Sequence, residues 1–406
     1  MPVVVDVPQP TRTGAFAALH EPAYRWWFAS QILSGSGNMA QAVGLAWLVL
    51  QLTGSGVDLG LLSAASFGPV LVASAWAGVF LDRVDHRRAL IGTQVAFIAV
   101  SGLLAVLTAT GTIRVWSAFL LALASGFVFA LDAPARQVYV LELVGPARTA
   151  SAVGLFEVIV NASRVIGPAT SGVLIATVGV SACFAANAAS FVPTLLVLLR
   201  FRPDHRERTP GAARGWAAIR EGLSHVRHQP AIAYTMVMAV ASGMLFNLGV
   251  ALPVLATRSL GLGSVGYGGL MAAFGLGAIP GALAAGRTAG EPDGRRIRLL
   301  CVVTGVTVIA IALAPAAAVA FVLMAAAGLF SIWFIALANT LVQLRAAPRL
   351  RGRVMGLWTM AQPGMNPVTG LLAGAVTQAA GGRAGFGLGG AALLATGAIG
   401  WRALVR

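Results

Sequence analysis

The sequence contains no lysine, and only 13 of its 406 residues are acidic. Without lysine the chain has no phosphate-binding loop of the form G-x-x-x-x-G-K-[ST], which excludes an ATP-driven pump. Charged residues make up 10% of the chain, whereas soluble domains carry about 25%. The scarcity of charge therefore excludes a soluble protein and predicts an integral membrane protein.

Residues that bind metals or carry out catalysis are also scarce. Cys183 and Cys301 fall in apolar segments, so the sequence predicts neither a disulfide framework nor a metal site. The histidines all lie in tails or loops, at positions 20, 86, 205, 225 and 228. No cluster of groups suited to catalysis results, and we expect neither an enzyme nor a bound cofactor or metal.

Long apolar runs dominate the rest of the chain. Hydrophobic residues make up 58% of the sequence, and the mean hydropathy is +0.83. The runs are about 20 residues long and unbroken, as transmembrane helices require, and they lack the alternation of a membrane β-barrel. We predict an all-α polytopic membrane protein with twelve transmembrane helices, at about 24–50, 57–81, 89–110, 115–135, 151–177, 179–200, 230–257, 264–286, 297–314, 316–342, 352–379 and 383–404.

Arginine is distributed unevenly around these predicted helices. All arginines except Arg114, Arg164, Arg258 and Arg383 fall on the side that carries the chain termini. Because basic loops stay in the cytoplasm, this predicts a cell-membrane protein with both termini cytoplasmic. The net charge of +15 then reflects orientation in the bilayer, and nucleic-acid binding is not expected. Residues 1–23 lack an apolar core, so no cleavable signal peptide is expected.

One long polar interruption divides the chain. We expect residues 1–23 to form a cytoplasmic tail, 24–200 a first six-helix bundle, 201–229 a cytoplasmic linker and 230–406 a second six-helix bundle. Apolar residues recur at helical spacing within the linker, which predicts an amphipathic helix on the membrane surface. A merely solvated linker is the alternative. The apolar positions are Trp216, Ile219, Leu223 and Val226.

The two predicted bundles look like repeats of one another. An offset of 208 residues places Gly60 on Gly268, and an offset of 202 places Gly172 on Gly374. Each match is weak in a chain with 49 glycines, but the matches agree with the division into six helices and six. Duplicated six-helix halves with a substrate site near the membrane midplane are a known transporter architecture.

The turn between predicted helices 2 and 3 carries the clearest motif. The stretch GVFLDRVDHRRAL has the spacing G-x-x-x-D-R-x-x-x-R-R. It resembles the signature of the major facilitator superfamily in this loop. Asp85 is typical of the branch that includes the enterobactin exporter, whereas His86 departs from it. The matching residues are Gly78, Asp82, Arg83, Arg87 and Leu90.

The resemblance implies the major facilitator fold, in which two pseudo-symmetric six-helix bundles rock about a central site. It also implies a cytoplasmic gate made from this turn and the end of helix 4. We expect Asp132 to lie within reach of Arg87 and to be the gate partner of the loop arginines; a proton carrier is its alternative role. The gate residues are Gly78, Asp82, Arg83, Arg87, Arg88, Asp132 and Arg136.

Predicted helix 5 places charged groups at membrane depth. Glu157, Asn161 and Arg164 share a face with Pro168, and seven residues separate the two charges by about 10.5 Å along the helix axis. Because a buried unpaired charge is costly, the two could form an ion pair or a network through Asn161. Two roles stay open: Glu157 as the proton-coupling site, with Arg164 and Asp132 as further candidates, or a permanent Glu157–Arg164 strut.

The stretch SRVIGPATSG, from Ser163 to Gly172, resembles the helix 5 signature of superfamily exporters, G-x-x-x-G-P-x-x-G-G. Gly167, Pro168 and Gly172 match it. Small residues allow close packing against the opposite half, and Pro168 permits a kink that seals the outer side. The match favours export over import.

Polar and aromatic residues on several helices are candidates for the substrate cavity. The polar stripe of predicted helix 1 is interpreted as cavity lining, since helices 1, 4, 7 and 10 line the cavity in the superfamily. Hydrogen bonding between helices is the alternative. Aromatic side chains suit large apolar ligands. The candidates are Gln31, Ser34, Asn38, Gln41, Phe127, Asn161, Asn247, Trp333, Phe334, Gln362 and Asn366.

The combined prediction is a secondary active transporter that exports small amphiphilic molecules by alternating access with proton antiport. The resemblance implies this direction and a drug- or siderophore-like substrate. Its partners would be the substrate, protons and the lipid bilayer, and we expect a monomer. The alternatives are a proton-coupled importer or uniporter of a small metabolite and a non-transporting receptor of the same fold.

Overall fold

The structure is a computed structural model that describes residues 16–81, 84–202, 216–287, 293–347, 350–362 and 364–399. All regular elements in these ranges are helical. Short turns of 3-10 helix occur at Ala17–His20 and Pro146–Arg148, and a π-helical turn at Leu255–Ser259. The α-helices are α1 (Pro22–Thr53), α2 (Gly56–Leu81), α3 (His86–Ala109), α4 (Val115–Val144), α5 (Thr149–Thr177), α6 (Val180–Arg200), α7 (Trp216–Arg227), α8 (Pro230–Phe246), α9 (Leu248–Val254), α10 (Ser264–Arg287), α11 (Gly294–Ala312), α12 (Ala317–Arg345), α13 (Arg351–Ala361) and α14 (Asn366–Ile399).

Over the described residues, the twelve predicted transmembrane segments all correspond to helices. Six of them, α3, α4, α5, α6, α10 and α12, are long and apolar enough to cross a membrane by themselves. α8 and α9 form one further span, which is bent by 40°. Segment 11 consists of α13 and the first part of α14. Segment 12 is the rest of α14, because Gly381, at φ 84°, turns the chain back. A positive φ of this kind suits glycine, which has no Cβ.

The ends of the helices define two sides of the molecule. The basic side carries the turns that join α2 to α3, α4 to α5 and α12 to α13. The opposite side carries the turns at Gly54, Gly111 and Gly179, where glycine adopts positive φ. Within the first half, α1 packs on α5 and α6, and α4 on α2 and α3; within the second, α12 packs on α10 and α11, and α14 on α8 and α11.

The two most extensive contacts between the halves are those of α5 with α10 and of α2 with α14, and α9 also contacts α1 and α2. A Cβ added to Gly268 of α10 would lie 2.6 Å from the Pro168 carbonyl oxygen and 2.8 Å from the Gly172 Cα. A Cβ added to Gly374 of α14 would lie 3.0 Å from the Gly60 Cα. Both interfaces therefore depend on glycine, because only glycine lets the backbones approach this closely.

These two interfaces are copies of one contact. The offsets that relate Gly60 to Gly268 and Gly172 to Gly374 in the sequence also relate the two contacts in space. Gly60 and Gly268 each lie one helical turn after the start of their helix, so both contacts lie on the opposite side. Each of the matched glycines therefore lies at a close backbone contact between the halves, which explains why both halves have glycine at these positions.

The helix predicted within the linker is present as α7, which covers Trp216–Arg227. It packs on α8 and α13 of the second half. Val226 is buried in that contact, and Glu221 forms an ion pair with Arg353 of α13. A merely solvated segment is therefore wrong for this part of the linker; a position on the membrane surface stays a prediction.

Candidate functional site

Helix α5 lies between the two halves and presents a different kind of residue in each direction. Toward α1 it presents Ser163 and Gly167, which pack on Gly35 and Met39, and toward α10 it presents Gly172. Exposed apolar residues, including Ile166 and Val173, cover its outer face. The remaining face carries Glu157 and Arg164 and points into the interior between α1 and α10. This interior face is the candidate site.

The interior face is open toward the basic side and closed toward the opposite side. Close contact with α10 extends from Gly172 to Arg164, whose carbonyl oxygen would lie 2.6 Å from a Cβ on Gly275. Two to three turns further toward the basic side, Glu157 and Val153 are exposed. This face of α5 is therefore exposed toward the basic side and covered by α10 toward the opposite side.

The two charges of the site are not paired with each other. Among the ion pairs of the described residues, none joins Glu157 to Arg164. Asn161 does not bridge them either, because its Nδ2 donates to the Glu157 carbonyl oxygen at 2.8 Å. Neither the direct ion pair nor the bridge through Asn161 is formed by the described residues in this conformation, although Glu157 attracts Arg164 through space; the strut stays a prediction. Arg164 is half-buried and donates no hydrogen bond to any described residue.

The polar stripe of α1 faces its own half, so its interpretation as cavity lining is wrong for Gln31 and Gln41. Gln31 is buried and donates to Thr194 of α6 at 3.4 Å. Gln41 accepts at 3.0 Å from Asn187 of α6. These contacts match the alternative, hydrogen bonding between helices. Ser34 is also fully buried, and Asn38 is half-buried beside Asn187.

Sequence reasoning missed Asn187, which organises this cluster. Its amide nitrogen donates to Gln41 and to Ser101 of α3 at 3.2 Å, and its side-chain oxygen accepts from Ser190 at 3.2 Å. The residue is completely buried. An amide at membrane depth was the available signal, because such a group is costly unless hydrogen-bonded.

Asn247 and Asn366 join the two halves on the side of the molecule opposite the basic side. Asn247 lies at the break between α8 and α9 and accepts from Ser63 of α2 at 2.8 Å. Its amide nitrogen donates to Thr369 at 2.8 Å and to the Asn366 carbonyl oxygen at 3.0 Å. Both asparagines are buried. Their prediction as cavity residues is corrected to a hydrogen-bonded cluster that closes the opposite side.

Ser63→Ala is expected to shift the protein about fivefold toward a conformation open on the opposite side. It removes one hydrogen bond between the halves, and such a bond contributes about 1 kcal/mol. The shift can be measured as the distance between spin labels placed on the two halves. Ser66→Ala is the matched control, because the Ser66 hydroxyl bonds to the Leu62 carbonyl oxygen of its own helix. An equal response of the two variants would contradict the prediction.

The aromatic candidates do not gather at the interior face. Phe334 is completely buried in the core of the second half, so its cavity prediction is wrong, and Trp333 packs against the same cluster. Phe127 continues an exposed apolar stripe of α4, which is typical of a lipid-facing surface. Gln362 lies half-buried at the end of α13. The other members of the α4 stripe are Trp116, Leu120 and Leu123.

Asp132 is anchored inside the first half. It is fully buried and forms an ion pair with Arg136, one turn along α4. Its Oδ1 accepts from the Thr93 hydroxyl and the Gln94 amide of α3, both at 2.8 Å. The expected pairing with Arg87 is therefore wrong. A carboxylate with three donors in place is an anchor between α3 and α4, which weakens both the gate and the proton-carrier predictions.

Arg87 instead holds the end of α6. It donates to the carbonyl oxygens of Leu198 at 2.6 Å, Leu199 at 3.1 Å and Phe201 at 3.2 Å. A cation is favourable at a helix C-terminus. Asp85 caps α3 by accepting from the Arg88 backbone N–H at 3.0 Å. Gly78 lies in the last turn of α2, and the gate predictions for Asp82 and Arg83 lie outside the described residues.

Two arginines of the opposite side also bind backbone carbonyls, a role that the sequence did not indicate. Arg258 donates to the Gly54 carbonyl oxygen at 2.6 Å and so links the second half to the α1–α2 turn. Arg383 donates to Ala312 and Ala314, both at 3.0 Å, at the end of α11. These contacts explain why arginine is tolerated away from the basic side.

Two six-helix halves, joined by copied glycine contacts around a charged interior face, define a transporter of the major facilitator superfamily. The chain matches the family model described as transmembrane secretion effector over residues 13–406, and it belongs to that family, in the efflux branch of the superfamily. The resemblance found in the α2–α3 turn is thereby confirmed.

Three relatives and one solved structure illustrate the match. The multidrug efflux pump Tap of Mycobacterium tuberculosis is 30% identical, over 90% of this chain and 89% of its own. The enterobactin exporter EntS of Shigella flexneri is 26% identical, over 83% of this chain and 81% of its own. The staphyloferrin A transporter of Staphylococcus aureus is 32% identical, but over only 43% of this chain and 44% of its own. A bacterial homologue of the iron transporter ferroportin in an inward-facing state shares the fold, with a TM-score of 0.71, 16% identity and coverage of 95% and 99%.

Proposed function

We propose that this protein exports small amphiphilic molecules across the cell membrane by alternating access, driven by proton antiport. The relatives' names support export, because Tap is a multidrug efflux pump and EntS an enterobactin exporter. The observation that carries the proposal is the interior face of α5, which is open on one side of the molecule and closed on the other. This is the arrangement that one half-cycle of alternating access requires.

The orientation belongs to the same proposal. Arginine is concentrated on the basic side, so we place that side and both termini in the cytoplasm. The described conformation is then open to the cytoplasm, and an exported molecule would enter along α5. We also propose that residues 24–200 and 230–406 rock as two units within a single chain, since every group used here belongs to one protomer.

Glu157 is the proposed coupling group. It lies exposed on the open part of the interior face and is not held in an ion pair among the described residues. When the halves close on the basic side, the carboxylate would lose water. Desolvation disfavours the charged form, so closure would favour proton uptake at this residue. A carboxylate whose access changes during the cycle can couple proton movement to transport.

Glu157→Gln is expected to abolish acceleration of rhodamine B efflux by a proton gradient in proteoliposomes, a loss of at least tenfold. Dye exchange without a gradient should continue, because glutamine keeps the size and polarity of the side chain. Glu21→Gln is the control, since Glu21 lies on the basic side in an exposed pair with Arg148 at 2.9 Å. If protons moved in the same direction as the dye, the result would support import. If no variant showed proton movement linked to the dye, the result would support a non-transporting receptor.

A further inference from the structure

Arg164 is a cation at the closed end of the interior face, and the acidic group that acts on it is Glu157, by attraction through space and not by direct contact. Arg164 is half-buried, donates no hydrogen bond and forms no ion pair within the described residues. Other arginines in the helical core differ from it. Arg136 pairs with Asp132, and Arg383 donates to two carbonyl oxygens. The absence of a partner in direct contact is therefore specific to Arg164 among these three.

The second copy of the interface shows what surrounds the equivalent position. The offset of 202 residues places Arg164 of α5 on Asn366 of α14. Around Asn366, the side chains of Ser63 and Asn247 are hydrogen-bonded to each other, and Asn247 also donates to the Asn366 carbonyl oxygen. In that copy, polar groups of both halves are hydrogen-bonded around the Asn366 backbone, although the Asn366 side-chain oxygen itself has no hydrogen-bond partner among the described residues.

On α1 and α10, the positions that correspond to those partners by sequence offset are apolar. The offset of 208 residues places Met271 on Ser63 and Met39 on Asn247. A thioether sulfur is only a weak acceptor and cannot satisfy a guanidinium group, which has five N–H donors. The first interface therefore has the cation and lacks the polar partners that the second interface has.

This arrangement is tolerated in the open conformation because water reaches the interior face. It cannot persist when the halves close around a bound molecule, since an unpaired charge without water costs several kcal/mol. Glu157 lies two helical turns from Arg164 on the same face and makes no direct contact with it in this conformation. A bound molecule with an acidic group would supply an anion in direct contact with the guanidinium group.

We propose that Arg164 binds an acidic group of the transported molecule, a carboxylate or a comparable oxyanion, at the centre of the protein. This rests on the proposed function and narrows the substrate to amphiphiles with an acidic group. Guanidinium and carboxylate match in geometry, since two parallel N–H donors meet two oxygens. The apolar part of the ligand would lie along α5 toward the basic side, where Val153 and Phe156 are exposed.

The test compares three probes of one shape that differ only in charge: pyrenebutyrate, its carboxamide and pyrenebutylamine. The full-length protein is placed in phosphatidylcholine nanodiscs, and binding is followed by energy transfer from its tryptophans to pyrene. We expect the carboxylate to bind at least tenfold more tightly than the carboxamide. Arg164→Gln should reduce this ratio to about one, Arg164→Lys should retain part of it, and carboxamide binding should be unchanged.

Arg114→Gln is the matched control, because Arg114 is exposed at the start of α4 on the opposite side. If the wild-type protein binds the carboxylate and the carboxamide with similar affinity, whatever the lipid, the proposal is overturned. A tenfold ratio that disappears when phosphatidylglycerol is added also overturns it, because Arg164 would then hold a lipid phosphate. Flux of the same probes separates this proposal from export. If the carboxylate binds more tightly but no probe is moved by a proton gradient, only the export proposal is contradicted. If a gradient moves the probes but the carboxylate does not bind more tightly, only the anion site is contradicted.

Discussion

Replacing Gly268 with alanine is expected to reduce transport at least tenfold and to favour a conformation open on the opposite side. The new Cβ would lie 2.6 Å from the Pro168 carbonyl oxygen and 2.8 Å from the Gly172 Cα, and neither backbone atom can rotate away. Overpacking of this kind costs about 1–3 kcal/mol. A difference of that size shifts a two-state equilibrium about 5–150-fold.

The shift can be measured with spin labels at Thr112→Cys in the first half and Leu313→Cys in the second, both exposed on the opposite side. The native Cys183 and Cys301 are buried, which favours labelling of the introduced pair. The inter-label distance should increase in Gly268→Ala. Gly60→Ala should have a similar effect, because its Cβ would lie 2.8 Å from the Gly370 carbonyl oxygen.

Gly102→Ala in α3 is the matched control, since no heavy atom outside the local helix backbone lies within 4 Å of the added Cβ. It should transport normally and leave the label distance unchanged. If Gly268→Ala behaved like this control, closure of the α5–α10 contact would not be part of the transport cycle. That result would remove the main geometric support for alternating access in this protein.

Replacing Asp132 with asparagine is expected to lower the free energy of unfolding by about 3–5 kcal/mol, the cost of breaking a buried ion pair. Asparagine can still accept from Thr93 and Gln94, but the half-buried Arg136 is left without a counter-charge. Unfolding of the purified protein by denaturant in detergent measures the loss. The double variant Asp132→Asn/Arg136→Gln should be more stable than Asp132→Asn alone, because it removes the uncompensated charge.

Glu21→Gln provides the comparison for an exposed pair. Glu21 and Arg148 are both partly exposed, and pairs of this kind contribute about 1 kcal/mol or less. If Asp132→Asn/Arg136→Gln were as unstable as Asp132→Asn, the lost free energy of unfolding would come from the hydrogen bonds to α3 and not from the charge of Arg136. A loss no larger than that of Glu21→Gln would contradict the anchoring role of Asp132.

The number of helices, their order and the side of each turn could be predicted from the sequence. Membrane helices need about 20 apolar residues, and the energetic cost of charge in lipid leaves arginine at their ends. The glycine matches between the halves were also visible, at Gly60, Gly172, Gly268 and Gly374. They were weak as sequence matches and became informative once the structure showed each of them at a backbone contact between the halves.

The partner of each interior polar group could not be predicted from the sequence. Gln31 and Gln41 face α6, Asp132 faces α3 and Arg136, and Asn247 bonds across the halves to Ser63. Helical spacing shows which residues share a face, but a transmembrane helix is apolar nearly all round and the pattern does not orient that face. Only packing against neighbouring helices sets this rotation, and with it the isolation of Arg164 at the centre of the protein.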